Sequence, residues 1–142
     1  MLTNDPATAR NQALAVATFL THSTKPSVQA WYAKALLAES ALFAGDRKAA
    51  IVAAQQSLAS RPRTEDALTW VDVAAVNARV LAWAGAEDQA IQLLEDLSTV
   101  DNGLAPAEIT RDPLYDLPLA SNTRYQALKS KLEARMAATQ LE

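Results

Sequence analysis

The feature that most restricts the fold of this chain is an internal repeat of small residues. An alanine, six other residues, a glycine, four other residues and a second alanine occur twice, with an offset of 40 residues. The first copy is Ala38, Gly45 and Ala50, and the second is Ala78, Gly85 and Ala90. A small residue on each of two helices lets them approach to about 8–10 Å, and a glycine between them lets the chain reverse within a short turn. The spacing therefore predicts two helical hairpins that are copies of one another.

The amino-acid composition favours the same interpretation. The 142 residues include 31 alanines and 19 leucines, which are strong helix formers, but only 3 glycines. The length fits one domain with a core of its own. We therefore expect an all-α protein with a single domain over residues 1–140. Leu141 and Glu142 match the residue pair that a restriction site leaves before a purification tag, and they are left out of the fold prediction.

Apolar residues at three- and four-residue steps predict six principal helices. Their ranges are 7–21, 28–44, 46–60, 64–84, 87–100 and 122–138. Gly45 and Gly85 are expected to end two of these helices in the left-handed conformation. Asp46 is placed to cap the helix that follows the first of these glycines.

The two hairpins resemble the tetratricopeptide repeat, a helix pair of about 34 residues that stacks into a right-handed solenoid. The likeness rests on the repeated alanines and glycines, together with Leu37 and Pro62. It implies antiparallel repeats at 28–60 and 64–100, with residues 7–21 as the second helix of a preceding repeat. The first helix of that preceding repeat is missing, which, together with the Leu141-Glu142 pair, suggests a fragment of a longer protein without deciding it.

The C-terminal part, residues 104–138, is expected to cap the stack. Three prolines between 104 and 119 exclude one long helix, so a short helical turn near 106–110 and then an ordered apolar loop are predicted. Residues 111–119 and 125–128 resemble the end of many tetratricopeptide regions in bacterial adenylate cyclases and Ser/Thr kinases. The side chains expected to cover the open apolar end of the solenoid are Leu114, Tyr115, Leu117 and Leu119.

Charge and cysteine content exclude several classes of protein. Because the chain has no cysteine, it has no disulfide and no thiolate zinc site. A net charge of −3 and a pI near 5.1 argue against nucleic acid and anionic lipid as ligands. Neither a signal peptide nor a membrane span is apparent, so that a cytoplasmic protein is expected.

Residues suited to catalysis are scarce. The single histidine, His22, stands at the end of the first helix, where a solvent-exposed or capping role is expected. Three adjacent carboxylate pairs, at 65–66, 87–88 and 95–96, are expected to serve structure, because neighbours on a helix point about 100° apart. We therefore predict that the chain is not an enzyme and holds no metal and no cofactor.

The aromatic residues give the most informative functional signal. On the first helix of each hairpin, one side should face the concave surface of the solenoid. The candidate partner-binding residues on that side are Tyr32, Glu39, Phe43, Asp72, Arg79 and Trp83. An alternative is that Phe43 and Trp83 are ordinary core residues near the turns. Trp31 and Trp70 are expected to pack between helices, and Arg61 and Arg63 to be solvated.

These residues predict a non-catalytic module that binds a protein or peptide, or another region of its parent protein. The resemblance of the C-terminal part implies that this parent is a larger bacterial signalling or regulatory protein. The alternative is a structural element that forms a homodimer through the N-terminal half-repeat.

Overall fold

The computed structural model describes residues 6–22, 30–60, 63, 67–100 and 102–139. All regular structure in these residues is helical, with no strand, so the expected all-α class is confirmed. The eight helices are α1 Pro6–His22, α2 Ala30–Phe43, α3 Arg47–Ala59, α4 Ala67–Ala84, α5 Glu87–Leu97, α6 Pro106–Arg111, α7 Pro113–Leu119 and α8 Thr123–Thr139.

The predicted apolar loop after residue 110 is wrong, because residues 113–119 form a helix, α7. Asp112 caps this helix by accepting a hydrogen bond from the backbone N–H of Leu114 at 2.9 Å. Pro113 occupies the first turn, where the missing N–H costs nothing. The fifth helix also ends earlier than predicted, at Leu97.

Both glycine turns have the predicted conformation. Gly45 has φ +83° and Gly85 has φ +89°. After each helix the chain forms two backbone hydrogen bonds back to the last turn, such as Ala86 N–H to the Leu81 carbonyl at 2.9 Å. As expected, Asp46 then caps α3 by accepting from the Ala49 N–H at 2.9 Å.

The Gly85→Val substitution is expected to lower the free energy of unfolding by about 1–2 kcal/mol. A β-branched side chain is strained at this positive φ, although a Cβ there would meet no atom within 4 Å. The cost of the substitution is therefore attributed to backbone strain and not to crowding by neighbouring atoms. Chemical denaturation monitored by circular dichroism measures the effect. Gly85→Asn, which tolerates this conformation, should cost less, and equal costs for both variants would contradict the explanation.

The helices pack largely in chain order. The four alanines of the repeat, Ala38, Ala50, Ala78 and Ala90, are fully buried in one core cluster, as predicted. Contacts join α1 to α2, α2 to α3, α3 to α4 and α4 to α5. In addition, α2 contacts α4, so the first helices of the two hairpins lie side by side.

The C-terminal helices cover this core from one side. Tyr115 and Leu119 are fully buried, as expected of a cap, whereas Leu114 and Leu117 are exposed, contrary to prediction. A short helix buries only one face, and residues 114 and 117 lie on the other. Helix α7 packs against α4, and α8 packs mainly against α6 with fewer contacts to α5. No described helix is both long and apolar enough to cross a membrane.

Candidate partner-binding groove

Two pairs of side chains at equivalent positions of the repeat define the candidate site. Glu39 and Phe43 are one helical turn apart on α2, and Arg79 and Trp83 occupy the positions 40 residues later on α4. Residues four apart share one face of a helix. Since α2 contacts α4, the two pairs face a common groove.

This groove has a volume of about 530 Å³ and mainly apolar walls. Its lining residues are Glu39, Leu42, Phe43, Gly45, Arg47, Arg79, Val80, Trp83 and Leu114. Volumes of several hundred Å³ are typical of sites that accept a small molecule or a few side chains.

Four of the six predicted binding residues are therefore brought together by the fold. Asp72 is exposed on α4 but does not line the groove. Tyr32 belongs to α2, and its side chain lies outside the described residues, as does that of Trp31. Trp70 is buried between helices, beside Leu97, as predicted.

The alternative that Phe43 and Trp83 are core residues is wrong. Phe43 is 70% exposed and Trp83 is 41% exposed, although both are large and apolar. Exposed aromatic side chains at the wall of a groove are typical of interaction surfaces.

Arg79 is already engaged by the C-terminal cap. Its guanidinium lies 3.5 Å from a carboxylate oxygen of Asp112 and 5.4 Å above the centre of the Tyr115 ring. Tyr115 in turn donates a hydrogen bond from its hydroxyl to the carbonyl of Ala75, at 3.1 Å. The positive charge of Arg79 is thus partly compensated from within the chain.

Trp83 is also fixed by the cap. Its indole N–H donates to the carbonyl of Leu114 at 2.9 Å. In a regular helix that carbonyl would accept from the N–H of residue 118, but Pro118 has none. The proline therefore leaves an acceptor free for the indole, which holds the Trp83 ring at the edge of the groove.

Glu39, unlike Arg79, forms no ion pair with a described residue. No described cation lies within 4 Å of its carboxylate, which is half-buried. Burial raises the pKa of the Glu39 carboxyl, and the positive charge of Arg79 offsets part of this effect.

Five wall residues were not predicted as part of the site: Leu42, Gly45, Arg47, Val80 and Leu114, of which Gly45 was predicted only as a turn residue. Leu42 and Val80 flank predicted site residues and could have been found by widening the helical face by one position. Arg47 begins α3 just after the Gly45 turn. Leu114 approaches α4 only through the packing of the cap, which no local pattern reveals.

The two carboxylate pairs that lie within the described residues, at 87–88 and 95–96, take part in structural contacts. Glu87 accepts a hydrogen bond from Asn122 at 2.7 Å, and Glu95 forms an ion pair with Arg124 at 2.5 Å. The pair at 65–66 and the side chain of His22 lie outside the described residues. Within the described ranges, no group of three histidine or acidic side chains is placed to hold a metal ion.

Of the two turn arginines, Arg63 is exposed and lies 5.6 Å above the centre of the Trp70 ring, so it is both solvated and stacked. Arg61 lies outside the described residues.

The chain matches no protein-family profile, no curated protein and no solved structure.

Proposed function

We propose that this chain is a non-catalytic, tetratricopeptide-like interaction module that binds an extended segment of a partner protein in the groove between α2 and α4. The observation that carries the proposal is the exposure of Phe43 and Trp83 at equivalent positions of the repeat, on the wall of one groove. Single exposed apolar residues are common on proteins, but Phe43 and Trp83 lie with Leu42 and Val80 in one groove, and contiguous apolar surface of this kind is typical of an interaction site.

The packing pattern supports the tetratricopeptide comparison. A solenoid of helix pairs requires contacts between consecutive helices and between the first helices of neighbouring pairs, and both kinds occur here. The buried alanines and left-handed glycines recur at the 40-residue offset. A right-handed stack, closed by residues 104–138, is the arrangement we propose.

From the resemblance of the tail, we propose that the module belongs to a larger bacterial signalling or regulatory protein in the cytoplasm. Under this proposal its partner is either a separate protein or another region of its parent protein. Neither nucleic acid nor membrane is proposed as a ligand, because the chain is net acidic.

Phe43→Ala is expected to weaken the binding of a partner segment by about 30-fold or more, because an aromatic anchor at an interface contributes about 2 kcal/mol or more. Peptides selected from a random phage-displayed library on the intact chain provide the ligands, and fluorescence anisotropy measures their dissociation constants. Phe43 is a cleaner target than Arg79 or Trp83, since both of those also hold the cap.

Leu68→Ala is the matched control, because Leu68 is an equally exposed apolar residue on α4 that does not line the groove. It should leave the affinity unchanged. Selected peptides that bind the Phe43→Ala protein normally, or a library that yields no binder, would refute the proposal. Circular dichroism checks that both variants remain helical.

A second candidate function is self-association through α1. The observation in its favour is that Leu14 and Phe19 on α1 are 47% and 72% exposed. If two copies stack there, the solution mass should rise with concentration, and Phe19→Asp should restore a monomer. A mass that stays monomeric at high concentration would exclude this function.

A further inference from the structure

We infer that the buried hydrogen bond between Asn77 and Ser57 fixes the register of α3 on α4, and with it the relative position of the two hairpins. Ser57 belongs to the first hairpin and Asn77 to the second. Asn77 is thus a positioning residue. This inference goes beyond the proposed function and does not depend on what the groove binds.

Asn77 and Ser57 form a polar contact in the interior of the protein, where both residues are fully buried. The Asn77 Nδ2 donates to the Ser57 Oγ at 3.0 Å, and to the carbonyl of Val73 on its own helix at 2.8 Å. The Asn77 Oδ1 is also buried, and it accepts no hydrogen bond from a described residue. Because a buried acceptor without a donor lowers stability, the presence of this asparagine is not explained by stability.

The internal repeat shows that apolar side chains suit both positions. At the 40-residue offset, Leu37 is the counterpart of Asn77, and Leu97 is the counterpart of Ser57. Leu97 is fully buried, so the second hairpin accommodates a leucine there. Replacing both members of a buried polar pair by apolar groups is often neutral or stabilising. A role in the contact between the hairpins would account for the polar pair at this place.

The buried face of α3 has little else to define its register. Its other buried residues are Ala50 and Ala54, one turn apart. Alanine side chains form shallow ridges, and a slip of one turn, about 5.4 Å, would place an alanine opposite Asn77. The Asn77 amide would then be buried without Ser57, which penalises that register. In coiled coils, a single buried polar contact selects the register in the same way.

The register of α3 on α4 also determines the shape of the candidate groove. Phe43 belongs to the first hairpin and Trp83 to the second, and both line the groove. A slip between the hairpins would displace these two side chains relative to one another. The contact between Asn77 and Ser57 therefore positions the aromatic walls, although neither residue lines the groove.

The test measures the distance between two spin labels by double electron–electron resonance. Because the chain has no cysteine, Lys48→Cys on α3 and Leu68→Cys on α4 direct the labels to these two exposed positions alone. Both positions lie in the first turn of their helices. Since helices joined by a short connection run antiparallel, the labels are separated mainly along the helix axes. A slip of one turn is then seen as a change in distance.

We expect a single narrow distance when Asn77 and Ser57 are both present. Asn77→Leu combined with Ser57→Ala should produce a second distance that differs by about 5 Å, which is one helical turn. The melting temperature of this variant should be unchanged or higher, because no buried polar atom of the pair is left unpartnered.

Thr110→Val is the matched control, because it removes a buried hydroxyl whose hydrogen bond, to the carbonyl of Pro106 at 3.0 Å, stays within one helix. It should keep the single distance. Since leucine is larger than asparagine, Asn77→Ala combined with Ser57→Ala is the second apolar variant, and it should show the same second distance.

Two outcomes would overturn the inference. An unchanged single distance in every apolar variant that stays helical would show that packing fixes the register without the polar pair. Loss of helix in both apolar variants, measured by circular dichroism, would show that the pair serves stability itself. Neither outcome affects the peptide-binding test of the groove, because that test uses protein in which the pair is intact.

Discussion

Deletion of residues 111–138 is expected to abolish the folded monomer. The segment contributes five buried side chains to the core: Tyr115, Leu119, Tyr125, Leu128 and Leu132. Burying a large apolar side chain contributes about 1.5–3 kcal/mol, so their joint loss is about 10 kcal/mol, comparable with the whole stability of a typical domain. The deletion also exposes Ile91 and Leu94, which belong to the same cluster.

Size-exclusion chromatography with light scattering and far-ultraviolet circular dichroism measure the result, which should be aggregation or loss of helix. Leu117→Ala is the control within the deleted segment, because Leu117 is 66% exposed and should be dispensable. A deletion variant that stays monomeric, with an unchanged denaturation midpoint, would show that the first five helices form a complete domain.

The features of the fold that were predictable from sequence are those set within a few residues. The backbone at the Gly45 and Gly85 turns has a positive φ, a conformation that glycine adopts without strain. The burial of Ala38 and Ala78 follows from the spacing of small residues on facing helices. Such local requirements appear directly in a sequence.

Helix α7 could not be predicted in this way, because its sequence contains evidence against a helix. Pro118 removes a backbone donor that a helix would use, and the carbonyl of Leu114 loses its partner. The compensation comes from the Trp83 indole, 31 residues earlier in the chain. A contact over that distance is invisible to local patterns.

The candidate groove likewise has features that a local sequence pattern predicts and features that only tertiary packing determines. The periodicity of α2 and α4 predicts that Glu39, Phe43, Arg79 and Trp83 share one surface, and all four line the groove. That Arg79 and Trp83 are engaged by the cap depends on how α7 packs against α4. These contacts are therefore features of the tertiary structure that no local pattern predicts.

Tyr115→Ala is expected to lower the free energy of unfolding by about 3–5 kcal/mol, the usual cost of removing a buried aromatic ring. Tyr115 is fully buried at the contact between α7 and α4, where its hydroxyl donates to the Ala75 carbonyl. Its ring also lies 5.4 Å below the Arg79 guanidinium, which would lose that contact and its fixed position. Urea denaturation followed by circular dichroism gives the free energy.

Tyr115→Phe separates the ring from the hydroxyl. It removes one hydrogen bond and should lower the free energy of unfolding by only about 1 kcal/mol, because Ala75 lies inside α4 and its carbonyl keeps its helical partner.

The Tyr115 hydroxyl also makes stability depend on pH. Burial raises its pKa, so the folded state binds that proton more tightly than the unfolded state does. The associated stability is lost as the pH rises above about 10. The phenylalanine variant should therefore lose less stability than the parent protein between pH 9 and 11. If Tyr115→Ala lowers the free energy of unfolding no more than Tyr115→Phe does, the aromatic ring does not anchor α7 to α4. The position of Leu114 at the groove wall would then need another explanation.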